Sequence, residues 1–403
     1  MPEKENLSYG GQAIIEGVMM RSPKHYAVAC RAPNGQIVVD TEPVEKTWIG
    51  RQKWLMIPFL RGTFALLDSM FLGHKAMNFA GAVQIDERYQ PEGKEIEEPK
   101  PPSWTLPLIF LVASIIAIIF IPGDKTFARV VAIGAAVTSL MAIPPIRARM
   151  GRAFESVAVP MAMVIGLSVG FLIFDYLPQL VAEAAGRRVK LSPTGMNYLA
   201  EIVKVVIFIG YLAAIAKLEA VKELFKYHGA EHKAINALEL DRRVNVETSG
   251  AQTRLHPRCG TSFMIIVLFV GFIFMPLIPR YPFGHPLGHT ALDALVRFGI
   301  VLCCLPLVAG ISYELLKLAG KYRHKKWVSV AFAPGLFSQR VLTTVEPETK
   351  HLEVAVASLQ AVMIAEKTGA LTKTAHWDNF VKPDDVEVLD SAHANEQSPD
   401  ELV

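Results

Sequence analysis

The stretch Ser262-Phe263-Met264-Ile265-Ile266-Val267-Leu268-Phe269-Val270-Gly271-Phe272-Ile273-Phe274-Met275-Pro276-Leu277-Ile278-Pro279 decides the fold class of this chain. It holds no charged residue and approaches the ~20 residues a helix needs to cross a hydrocarbon core. Five further spans read the same way, at 104–122, 128–146, 154–181, 198–217 and 291–316. The chain has 403 residues, is 51% hydrophobic and has a mean hydropathy of +0.31. Its apolar residues gather in these blocks rather than spreading evenly. The expected fold is therefore an α-helical polytopic membrane protein with about six transmembrane helices. The turn Gly123-Asp124-Lys125 makes the first two spans a hairpin. If that hairpin only dips into the bilayer, the count becomes four plus a hairpin.

Orientation follows from lysine and arginine in the short loops. Arg147, Arg149 and Arg152 follow the second span, and Lys222, Lys226, Lys233, Arg242, Arg243, Arg254 and Arg258 follow the fourth. Lys317, Lys321, Arg323, Lys325 and Lys326 follow the sixth. These groups share one side, which the positive-inside rule makes cytoplasmic, although Arg187, Arg188 and Lys190 on the other side weaken the contrast. The expected location is the cytoplasmic (inner) membrane, multi-pass, with both termini cytoplasmic. The polar start Met1-Pro2-Glu3-Lys4-Glu5 has no signal-peptide pattern, in keeping with a cytoplasmic first domain.

Residues 1–86 read as a small α+β N-terminal cytoplasmic domain. Two strands are expected at 26–31 and 36–39, joined through Ala32-Pro33-Asn34-Gly35, where Asn-Gly is a hairpin signal. An amphipathic helix is expected over 58–83, either on the membrane surface or facing a core. Residues 87–103 form a charged, proline-rich linker. The transmembrane domain spans 104–320 and includes a cytoplasmic loop at 221–261. A C-terminal cytoplasmic segment follows at 321–382, with helical periodicity over 351–367, and then an acidic tail, 383–403, expected to be disordered.

That loop contains Tyr227-His228-Gly229-Ala230-Glu231-His232. On a helix, positions i, i+3 and i+4 share one face. His228, Glu231 and His232 then aim two imidazoles and a carboxylate at one point. Two neutral imidazoles suit a divalent transition metal, and the carboxylate is a ligand or a base for water. The same order of letters marks one class of zinc hydrolases. The bland alternative is a polar helix end whose histidines face water.

Three further ligands lie on the same membrane side. Glu314, near the end of the sixth span, is a costly intramembrane carboxylate, and its bland role is an ion pair with a basic residue. His256 and Cys259, in Arg254-Leu255-His256-Pro257-Arg258-Cys259-Gly260, have ligand-like spacing. One arrangement takes Glu314 as third ligand and Glu231 as base. The other closes a tetrahedron from His228, His232, His256 and Cys259 and leaves no position for substrate. Glu16 and Arg21, in a glycine-flanked apolar segment, either pair with each other, reach this site or make surface ion pairs. No phosphate loop and no serine or cysteine nucleophile motif is present. The four cysteines, Cys30, Cys259, Cys303 and Cys304, make no disulfide framework, and a formal charge of +3 does not suggest nucleic acid.

The chain resembles the YqhQ-like bacterial membrane protein family. The resemblance rests on Gly10-Gly11-Gln12-Ala13-Ile14-Ile15-Glu16-Gly17-Val18-Met19, Arg61-Gly62, Tyr227 to Lys233, Arg254 to Phe263, Pro334-Gly335-Leu336 and Leu342-Thr343-Thr344, in that order. It implies a metal-dependent enzyme with its metal at His228, Glu231 and His232. The hairpin at 104–146 and the longer acidic tail depart from shorter members. Three functions then fit. The first is a membrane-embedded, zinc-dependent hydrolase acting on a membrane peptide or lipid-linked molecule, with membrane lipids as its surroundings. The second is a non-catalytic scaffold or assembly factor with a structural metal. The third is an ion or metal transporter, against which the lack of several paired charges at mid-membrane argues.

Overall fold

The computed structural model describes residues 9–44, 60–91, 172–279, 290–321, 333–372 and 375–376, with isolated positions between them. The strands are β1 (Gly10–Ile14), β2 (Gly17–Arg21), β3 (His25–Arg31), β4 (Ile37–Pro43) and β5 (Ala375–His376). The helices are α1 (Leu60–Ile85), α2 (Leu177–Val189), α3 (Pro193–Ile215), α4 (Glu219–Leu240), α5 (Val246–Gly250), α6 (Gly260–Phe274), α7 (Thr290–Lys321), α8 (Ala333–Ser338) and α9 (Thr349–Thr368). A π-helical turn, Leu172–Tyr176, leads into α2, and another, Gln339–Thr343, follows α8.

The chain divides into two compact units. The first joins Met1–Lys94, Leu212–Val267 and Ala309–Val403. Its five strands form one antiparallel meander in the order β1-β2-β3-β4-β5. The expected hairpin is present: Arg31 pairs with Ile37, and Gly35 takes the positive φ, +90°, that the turn requires. β1 and β2 form a second hairpin, which the sequence reading did not anticipate. Its two-residue turn is Ile15-Glu16, and Glu16 adopts φ +49°. No Asn-Gly marks it.

Both faces of the sheet are covered. Val18, Met20, Ala27, Ala29 and Val39 pack against α4 and α9. The alternate residues Met19, Tyr26, Val28, Cys30 and Val38 pack against α1 through Leu72, Ala76, Ala80 and Val83. This explains the unbroken apolar run Tyr26-Ala27-Val28-Ala29-Cys30: a strand buried on both sides has no polar alternation. Each large side chain so buried contributes about 1.5–3 kcal/mol. α9 runs under the sheet, with Val354 to Ala357 and Leu359 buried. The N-terminal strands and the C-terminal helix thus share one core, although more than three hundred residues separate them.

The second unit comprises Glu95–Tyr211 and Leu268–Val308. Within it Phe174 sets its ring edge-on to Phe208 and Tyr211, at 6.1 and 5.8 Å. Asn197 donates to the carbonyls of Pro276 and Ile278 and accepts from Arg297 at 3.3 Å. Among the described residues three helical segments are long and apolar enough to cross a membrane: Pro193–Ile215, Gly260–Leu277 and Gly299–Leu318. They correspond to the fourth, fifth and sixth spans expected. Spans 104–122 and 128–146 lie outside the described residues apart from isolated positions, as do most of 154–181, the linker beyond 91 and the tail 383–403.

Candidate metal centre

The histidine motif lies on α4, a helix separate from the apolar α3. The chain turns at Ala216 to Leu218, where Lys217 and Leu218 donate three residues back and Leu218 is extended. α4 is polar at its start and buried from Gly229 to Leu238. Helical spacing brings the rings of His228 and His232 to 4.4 Å between centroids.

Backbone carbonyls orient both rings. His228 Nδ1 donates to Thr343 O at 2.7 Å, and His232 Nδ1 donates to Arg254 O at 2.6 Å. A carbonyl only accepts, so each Nδ1 carries the proton and each neutral ring keeps its lone pair on Nε2. His228 Nε2 lies 3.1 Å from Cys259 Sγ. His232 Nε2 is buried and has no partner at good hydrogen-bond geometry, with the Cys259 thiol the side chain it faces. Burial, with His228 beside it, pushes the His232 pKa down and favours the neutral ring. The ligand atoms of His228, His232 and Cys259 lie within 4.8 Å of one another. An orphaned imidazole nitrogen, a second Nε2 and a thiol at this separation fit a divalent metal, and carbonyl-anchored Nδ1 atoms are its customary support.

Glu231 stands beside the cluster, its Oε2 3.8 Å from His228 Nε2. Burial raises its carboxyl above the usual range, against the pull of His228, His256 and a hydrogen bond with the Gly11 backbone. The contact with β1 is tight: a Cβ on Gly11 would stand 2.7 Å from Glu231 Cγ.

The remaining sequence candidates are placed as follows. Glu314 is not in the cluster; Arg61 grips it with two hydrogen bonds, at 2.6 and 2.5 Å. His256 is buried with its ring 5.7 Å from that of His232, and its Nε2 lies 3.7 Å from Glu239. Glu16 accepts from the Tyr227 hydroxyl at 3.1 Å, and Arg21 pairs with the buried Asp68 at 2.7 Å, so these two do not pair with each other.

Two residues escaped the sequence reading. Gln339, fully buried, accepts from His256 N and donates to His256 O and Ser262 Oγ, locking the loop before α6 onto the π-turn. Its only signal was a polar residue beside Pro334-Gly335-Leu336. Gly229 lies against Val345 O, so a side chain there would push away the segment that follows Thr343. Inside α3, a helix long and apolar enough to cross a membrane, Lys204 and Glu201 pair at 2.7 Å, which composition did not reveal.

The blocks Gly10 to Met19, Tyr227 to Lys233, Arg254 to Phe263 and Leu342 to Thr344 thus converge on one cluster. No solved structure matches the chain. The chain is 28% identical over 362 residues to the uncharacterized protein YqhQ of Bacillus subtilis (strain 168), an alignment covering 89% of this chain and 93% of that relative. Residues 57–365 match the family described as Protein of unknown function (DUF1385), and the chain belongs to that family.

Proposed function

We propose that the protein is a membrane-anchored, metal-dependent hydrolase built on His228, His232 and Cys259, with Glu231 as its base. The observation that carries this reading is the number of converging ligands. Structural zinc sites close with four protein ligands, whereas catalytic ones keep three and leave a position open. Among the described residues, His228, His232 and Cys259 make three. A divalent metal held there, zinc by the nature of the donors, would polarise a carbonyl and acidify a water.

The chain's own residues do the rest. Thr343 and Arg254 hold the two rings with Nε2 presented. Glu231, 3.8 Å from His228 Nε2, takes the proton from water. Gly11 fixes that carboxylate from the sheet side. The substrate class is a membrane peptide or a lipid-linked molecule at the cytoplasmic face of the inner membrane, since α6 begins directly after Cys259.

The burial of His232, Cys259 and Glu231 favours a second reading, a structural metal that ties α4 to the loop before α6. Glu231→Gln separates the two. A hydrolase keeps its metal in this variant and loses complementation of a deletion strain, with turnover reduced about 10²–10⁴-fold. Full complementation by Glu231→Gln would overturn the hydrolase and leave the structural site.

A further inference from the structure

The fold uses only one face of α1. Asp68, Leu72, Ala76, Ala80 and Val83 turn inward. On the other side Leu67, Met70, Phe71 and Met77 follow helical spacing and stay exposed, Met70 at 70% and Phe71 at 60%. Single exposed apolar residues are ordinary, but a stripe of large ones marks an interaction surface.

Two observations choose the occupant. The first is charge. Between Leu67 and Asn78 the only acidic residue is Asp68, which is buried and paired with Arg21 at 2.7 Å. The exposed ionisable groups along this stretch are His74 and Lys75, and Lys75 leans toward Glu42 at 3.4 Å. An apolar stripe edged by His74 and Lys75, with no exposed acidic residue of its own, fits the surface of an anionic bilayer.

The second is place. α1 begins against α7. A Cβ on Gly62 would stand 2.5 Å from Tyr313 Cβ and 3.2 Å from Gly310 Cα, and Arg61 holds Glu314 with two hydrogen bonds. Gly310, Tyr313 and Glu314 all belong to Gly299–Leu318, a segment long and apolar enough to cross a membrane. The first turn of α1 therefore packs within about two turns of that segment's end at Leu318. Leu67 follows about 7.5 Å further along the axis, at ~1.5 Å per residue.

We infer that α1 lies in the boundary between lipid headgroups and acyl chains, with Leu67, Met70, Phe71 and Met77 inserted into the lipid. The helix then serves as a floor for the sheet. Gln12 of β1 closes on Gly73 of α1, and the neighbouring Gly11 touches Glu231. The candidate metal centre is thereby held at the bilayer surface. The inference rests on α1 itself and stands whether or not the cluster hydrolyses anything.

A photoreactive benzoylphenylalanine placed at position 71 or 77 of the full-length protein, in native membranes, tests it. Position 34, in the exposed β3–β4 turn, is the control. Irradiation is expected to attach phospholipid at 71 and 77, read as a mass increase, and none at 34. Crosslinking at 71 or 77 to a second copy of the chain, or to another polypeptide, would overturn the inference. So would the absence of lipid adducts at both positions.

Discussion

Gly229 sits between the two histidines of the motif, and nothing in helical spacing explains why it is glycine. The explanation is long-range. Val345 O lies against its Cα, and Thr343, two residues earlier at the end of the π-turn, presents its O to His228 Nδ1. Gly229→Ala forces that segment back. The expected cost is about 1–3 kcal/mol, the usual range for overpacking, and it appears as a lower melting temperature. An unchanged melt would show that the segment yields freely. The same scale divides what was legible at the site. His228, Glu231 and His232 were readable because a helix places i, i+3 and i+4 together. That Cys259 rather than Glu314 stands beside the histidines was not, because Glu314 meets Arg61, a residue 253 positions away.

At the scale of elements, the first turns of α4 and α9 are tied by one carboxylate. Glu223 accepts from Lys350 at 2.7 Å and from His351 at 2.8 Å, and it pairs with Lys226 at 3.0 Å. Burial alone would raise its pKa, but these three partners together lower it from 4.5 to about 2. The sign follows. A carboxyl depressed on folding contributes stability that is complete above about 4.5 and is lost as pH falls toward about 2. Thermal unfolding followed across that window should show Glu223→Gln with a flatter acid limb than the parent. Parallel acid limbs would contradict the linkage. Elements with local signals were legible: the Asn-Gly hairpin, α1, and α9 by its periodicity. The β1–β2 hairpin was not, since Ile15-Glu16 carries no turn chemistry and Glu16 takes its positive φ under tertiary constraint. The end of the fourth span at 217 was legible, but that a separate helix, α4, starts at Glu219 was not, because the turn at Lys217-Leu218 contains neither glycine nor proline.

The whole molecule joins regions that the sequence presents as separate. Hydropathy marked the apolar helices, which need only composition and length. It did not show that the strands 10–43 and the helix Thr349–Thr368 build one core, because no local pattern records a partner more than three hundred residues away. A chain ending at Glu348 loses the α9 part of the cover over Val18, Met20, Ala27 and Ala29. Limited proteolysis in membranes should then cleave between β1 and β4 at sites protected in the full chain. Equal protection would mean that the sheet stands without α9.

The same long-range closure assembles the candidate centre, since α4, the loop before α6 and the π-turn after α8 each supply one part. Elemental analysis of the purified full-length protein, beside Cys259→Ala and Glu314→Gln variants that retain a cooperative melt, tests that assembly most directly. The account predicts about one divalent metal per chain in the parent and in Glu314→Gln, and its loss in Cys259→Ala. A parent protein that binds no metal, or a Cys259→Ala protein that keeps it in full, would contradict the account.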